Sequence, residues 1–69
     1  MDISEKIRIL AIKNHTTVQQ IAERSGQSSA NLYNKMGRNT FKVAELERLA
    51  EAVGCGLEIN FVLPNGEKI

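Results

Sequence analysis

The stretch from Thr17 to Met36, TVQQIAERSGQSSANLYNKM, decides the fold. Thr17 followed three residues on by Gln20 is a capping-box pattern that starts a helix. Val18, Ile21 and Ala22 give that helix its apolar side, and Gly26 suits the left-handed position just past its end. Ser28 is a natural N-cap for a second helix reaching about Met36, with Gly37 expected to end it. Ala22 and Gly26 lie four residues apart, with Ile21 before them and Leu32 after them. Two helices packed through such small residues leave the outer face of the second one free.

Working outward, Asp2 with Glu5 forms another capping box, and Ile3, Ile7 and Leu10 recur at helical spacing. A first helix is expected from about Ser4 to Lys13, stopping at Asn14. Ile9 and Ile12 widen its apolar face, so burial over much of its circumference is expected. The polar segment GRNT reads as a loop. A fourth helix follows, with Val43, Leu46, Leu49, Ala50 and Val53 facing inward and Glu45, Glu47, Arg48 and Glu51 outward, closed by Gly54. After Gly56 the period changes to two. Leu57, Ile59, Phe61 and Leu63 alternate with Glu58, Asn60 and Val62, the pattern of a strand. Pro64, Asn65 and Gly66 signal a turn with Gly66 at positive φ, leaving only Glu67, Lys68 and Ile69 to return.

Sixty-nine residues make one small domain with a marginal core, since such domains bury only about 60% of their unfolded surface. The usual staples are disulfides, a metal or a partner subunit. One cysteine, Cys55, excludes an internal disulfide, and one histidine, His15, excludes a Cys/His zinc cluster within the chain. A second copy is the remaining staple. A lone strand or stubby hairpin needs an edge partner, and antiparallel pairing across a two-fold axis supplies one. Leu57, Ile59, Phe61 and Leu63 are therefore the expected dimerisation residues. The alternative is a strand lying on its own helices with its edge in water. No apolar run approaches the roughly 18 residues of a membrane helix, and MDISEK has no signal-peptide character, so a cytoplasmic protein is expected.

Net charge is only +1, but its distribution is uneven. Residues 1–40 carry six bases against three acids, and residues 41–69 three against five. Arg24, Lys35, Arg38 and Lys42 follow one another with no acid between them. This is either a solvated surface or a basic footprint for phosphate. At about 100° per residue, Leu32 and Met36 of the third helix face the core. Ala30, Tyr33, Asn34 and Gly37 lie opposite, with Ser29 expected to be exposed at the N-terminal end. Such a face can read DNA. The Asn34 amide can bond an adenine edge twice, Ser29 can donate or accept, and the Ala30 methyl suits a thymine methyl. Tyr33 can pack on a sugar or bond a phosphate. Candidate phosphate contacts are Thr17 and Gln19 at the second helix's N-terminus, and Lys35, Arg38, Asn39, Thr40 and Lys42 beyond the reading face.

These residues carry a resemblance. Thr17, Ile21-Ala22, Gly26, Ser28 and Leu32, followed by Leu46, Leu49-Ala50 and Val53-Gly54, resemble the Cro/repressor-type (XRE-like) helix-turn-helix family over about Ile7 to Gly54. The resemblance implies a third helix in the major groove, a second resting on the backbone, and base contacts at Ser29, Ala30 and Asn34. Three departures stand out. Gln27 occupies a position that is usually apolar in the turn. Lys35 occupies another apolar position, for which Met36 substitutes with a slight rotation of the helix. The strand from Leu57 replaces a fifth helix.

The expected architecture is thus mainly α: a four-helix, repressor-like helix-turn-helix DNA-binding domain over residues 1–56. Residues 57–69 form a C-terminal strand or short hairpin that pairs across a homodimer. The expected function is a sequence-specific, double-stranded DNA-binding regulator of transcription. The alternative is an antitoxin or anti-repressor that uses the same fold to bind a small protein such as a toxin. A purely structural assembly module is a third reading. No enzyme constellation is visible. Ser28 and Ser29 lack a base, no phosphate-loop glycine pattern occurs, and no cofactor is implied. Cys55 reads as a small buried residue and His15 as part of a helix end.

Overall fold

The computed structural model describes residues 2–69. It is mainly helical, with helices α1 (Ile3–Lys13), α2 (Val18–Arg24), α3 (Ser29–Arg38) and α4 (Val43–Ala52). Three helix starts follow from the capping residues. Asp2 accepts the Glu5 N–H at 3.2 Å, Thr17 the Gln20 N–H at 3.1 Å, and Ser28 the Asn31 N–H at 3.1 Å. α4 begins after Lys42 with no side-chain cap; Glu45 in its first turn offsets the positive end instead.

All four helices close in the same way. The residue just past each end turns left-handed, and the last free carbonyls are taken by the two following N–H groups. After α1 these are His15 to Ile12 at 3.1 Å and Thr16 to Ala11 at 3.0 Å; after α2, Gly26 to Glu23 at 3.1 Å and Gln27 to Ala22 at 3.0 Å. After α3 they are Asn39 to Met36 and Thr40 to Lys35, and after α4 Gly54 to Glu51 and Cys55 to Ala50. Gly26 and Gly54 take the turn with φ of 84° and 71°, as expected of glycine. His15 (φ 54°) and Asn39 (φ 53°) do so with a side chain, at a strain of about 1–2 kcal/mol each.

The end of α3 differs from the sequence expectation. Gly37 lies inside the helix, and Asn39 supplies the reversal two residues later. Asn39 has a second task that glycine could not perform. Its Oδ1 accepts the Ile3 N–H at 3.1 Å, across 36 residues of sequence, and so satisfies a free donor at the start of α1.

The core consists of Ile7 and Ala11 from α1, Ile21 and Ala22 from α2, Leu32 and Met36 from α3, and Leu49 from α4. Phe41, Leu46 and Val53 pack on its margin. α2 lies against all three other helices, and α1 also meets α3, whereas the backbones of α3 and α4 make no close approach. Ile21, Leu32 and Leu49 are almost completely buried, each contributing about 1.5–3 kcal/mol by leaving water. Three apolar assignments require correction. Ile9 and Ile12 are exposed, because the inward stripe of α1 is filled by Ile3, Ile7, Leu10 and Ala11. Val43 is also exposed at the first position of α4.

Beyond Gly56 no extended sheet forms among the described residues. The chain reverses at Pro64–Gly66, where Gly66 (φ 89°) donates to Leu63 at 2.8 Å. The returning residues make one isolated antiparallel bridge, Val62 with Lys68. Phe61 and Ile69 exchange both backbone hydrogen bonds, at 2.8 and 2.9 Å. The seven-residue strand expected from the alternation is not formed, because three returning residues can pair only with its far end. No helix among the described residues is long and apolar enough to cross a membrane.

Candidate functional site

The outer surface of α3 is built by its inner one. Leu32 and Met36 are buried, which fixes the rotation of the helix and turns Ala30, Tyr33, Asn34 and Gly37 to solvent. Tyr33 is 50% exposed. Ser29 is half-buried rather than exposed. On the helical wheel it lies only about 60° from Leu32, on the flank that leans toward the body. Its hydroxyl therefore sits at the margin of this surface, and Asn34 and Tyr33 hold its centre.

The opposite flank of α3 is occupied by a polar seam. Gln27, Asn31 and Lys35 follow one another at four-residue spacing, the period that stacks side chains along one helix face. Gln27 Nε2 donates to Ser25 Oγ at 3.2 Å, and Asn31 Nδ2 donates to Gln27 Oε1 at 3.3 Å. Lys35 Nζ reaches Glu45 of α4 at 2.6 Å. With Arg48, these residues border a polar cleft of about 230 Å³ between α3 and α4. The two unusual positions of the sequence, Gln27 and Lys35, thus fall in one place. They occur where two helices meet through polar side chains instead of close packing. The Lys35 ammonium, chiefly through its hydrogen bond, holds the Glu45 carboxyl below its ordinary range.

The candidate phosphate contacts divide accordingly. Gln19, Arg38, Thr40 and Lys42 are exposed. Thr17 is exposed, but its hydroxyl is the cap of α2. Lys35 is half-buried and paired with Glu45, and Asn39 has its carbonyl oxygen engaged at the start of α1. These three have structural duties in the free protein. Glu45 was not singled out by the sequence, since its link to Lys35 spans a loop and follows no helical period.

At the other end of the molecule, Leu57, Ile59 and Phe61 are exposed, Phe61 by 76%, and Leu63 is half-buried. Leu57 and Ile59 border an open, largely apolar groove of about 520 Å³ against Ile3, Ile7, Leu10, Leu46 and Leu49. The backbone groups of residues 56–60 have no hydrogen-bond partner among the described residues. Phe61 directs its N–H and C=O toward Ile69, so those of Val62 point to the opposite edge. In a strand continued back from Val62, Glu58 and Asn60 would share that edge. Val62, which was not an expected dimerisation residue, belongs to it through its backbone. Its signal in the sequence was the period of two itself.

In comparison with known proteins, no family model matches the chain, and no curated protein and no solved structure matches it either.

Proposed function

We propose that the chain is a sequence-specific, double-stranded DNA-binding regulator of transcription. In this reading α2 and α3 form a helix-turn-helix, α3 enters the major groove, and two copies act together. The observation that carries it is the outer face of α3. It is free of acids, carries the amide of Asn34 at its centre, and is followed along the chain by the exposed cations Arg38 and Lys42. Asn34 reads a base edge, Ala30 and Ser29 touch neighbouring bases, and Tyr33 lies against a sugar or phosphate. Gln19, Arg38, Thr40 and Lys42 bracket the backbone, while Thr17 and Asn39 serve chiefly to place the helices that carry the contacts.

One Asn supplies about 1–3 kcal/mol of discrimination, too little to define a site alone. The C-terminal arm supplies the doubling. Two arms paired antiparallel through the free edge of Glu58, Asn60 and Val62 would set Leu57, Ile59 and Phe61 of both chains on one apolar face. The two reading helices would then address half-sites about 34 Å apart. The rival reading, a protein-binding antitoxin or anti-repressor, uses the same arm or the acidic outer side of α4, where Glu47 and Glu51 are exposed.

The test is to titrate the protein against random duplex at several salt concentrations and to select bound sequences. Salt-dependent binding and an enriched near-palindromic motif are expected. Replacing Asn34 with Ala is expected to reduce discrimination at one base position of each half-site by about 1–3 kcal/mol, with oligomer size unchanged. Absence of both salt dependence and an enriched motif would overturn the reading.

A further inference from the structure

Lys35 is the cation nearest the middle of α3, and a basic side chain there would ordinarily be expected to reach for phosphate. It does not stand free. Its Nζ lies 2.6 Å from a Glu45 carboxylate oxygen, and both side chains are largely withdrawn from solvent, at 31% and 20% exposure. The pair bridges two helices whose backbones make no close approach. The rest of the seam, Gln27 and Asn31, is neutral. Glu45 therefore does two things at once: it ties α3 to α4 and neutralises a charge on the flank of the reading helix.

Phosphate contacts strengthen binding to every sequence alike, whereas base contacts separate one sequence from another. Withholding a cation from the backbone thus lowers affinity for all sequences alike and makes binding less salt-dependent, while the base contacts still set the ratio of specific to non-specific binding. We propose that Glu45 limits the affinity of the α3 surface for duplex of every sequence. It acts as an internal competitor that keeps Lys35 from DNA phosphate. It is a positioning residue, acting through Lys35, and the proposal rests on the DNA-binding function given above.

The test compares the full chain with Glu45→Gln, which keeps the shape of the side chain and removes its charge. Binding to random duplex and to the selected duplex is followed from low to high salt. In the variant Lys35 is released, so the slope of log K against log salt for random duplex should steepen by about 0.9 per protomer, the effect of one further phosphate contact. Affinity for random and selected duplex should rise by about the same factor, so the ratio between them is unchanged. Adding Lys35→Met to Glu45→Gln should abolish both changes, and a loss of packing alone would not restore the original slope.

A second measurement reads Glu45 directly. The Glu45 carboxyl is followed by NMR through an acid titration, free and saturated with the selected duplex. Glu45 is expected to titrate lower in the complex than it does in Lys35→Met bound to the same duplex; equal titration in the two complexes would show that Lys35 leaves for phosphate and would overturn the proposal. An unchanged salt slope in Glu45→Gln, with the unsubstituted protein binding normally, would overturn the role of Glu45 and leave the DNA-binding reading intact. Failure of the unsubstituted protein to bind any duplex would overturn both.

Discussion

Ile21 and Phe61 are both apolar side chains near the middle of a hydrophobic pattern. The first is completely buried in α2, and the second is 76% exposed in the C-terminal arm. The contrast extends to the backbone. Every helix C-terminus and three of the four helix starts in the body find capping partners within the chain, down to the side chain of Asn39 bonding the start of α1. In the arm, residues 56–60 leave their amides and carbonyls unpaired among the described residues. The hydrophobic pattern alone does not distinguish the two regions. What separates them is whether enough chain is near to cover the pattern. Four helices cover one another, whereas three returning residues cannot cover a strand of seven.

The sharpest way to break this contrast is to damage the body. Leu32→Ala removes a fully buried side chain at the junction of α3 with the core, a change expected to cost about 2–5 kcal/mol. In a domain of this size that is a large share of total stability, so the helical circular dichroism should melt far below that of the parent. A melting curve unchanged by the substitution would mean that the core has been misplaced.

Phe61→Lys addresses the arm. The helical signal and melting of the body should persist, because Phe61 contributes little to the core. If two arms pair, sedimentation should show the dimer weakened by about 30-fold or more, the effect expected of an interface anchor worth about 2 kcal/mol. Ile59→Lys should act in the same direction. A dimer indifferent to both changes would place the interface elsewhere, with the exposed Ile9 and Ile12 of α1 the next surface to examine.

Asn39→Gly sharpens the account of how the body closes. Glycine accepts the left-handed backbone but has no oxygen for the Ile3 N–H. The lost hydrogen bond, worth about 1 kcal/mol, is offset by the relieved left-handed strain, so little net change in the urea midpoint is expected. Asn39→Ala should cost more, since it loses the hydrogen bond and retains the strain.

A smaller effect than this concerns Glu45. Its carboxyl is held below the ordinary range by Lys35, so the pair's contribution is present above the unfolded-state pKa and fades as pH falls through the folded one. Stability of the parent relative to Glu45→Gln should therefore be greater at neutral pH and converge with it in acid, as read from melting temperatures across that range.

These differences also explain what the sequence discloses. The N-caps at Asp2, Thr17 and Ser28 and the reversals at Gly26 and Gly54 are local signals, fixed by residues within a turn of one another. They were legible. The end of α3 was not. Gly37 carries the ordinary stop signal, yet the helix continues because Asn39 must meet Ile3 on a distant helix. The surroundings of Lys35 and Ser29 were not legible for a related reason. A wheel gives the angle of a side chain on its own helix but not what the neighbouring helix brings to that angle. The alternation after Gly56 marked the apolar side chains of the arm, and hydrogen-bond direction at Phe61 and Ile69 was needed to identify its free edge.

Tyr33 carries a practical consequence. The chain has one tyrosine and no tryptophan, and that tyrosine stands half-exposed on the outer face of α3. Its near-ultraviolet emission is an intrinsic optical reporter for that one surface, silent about the arm and needing no label. Engagement of DNA, with Tyr33 against a sugar or phosphate, should change it, while association of two arms alone should leave it as it is. Fluorescence on a single sample can thus follow engagement of the reading helix separately from dimer formation.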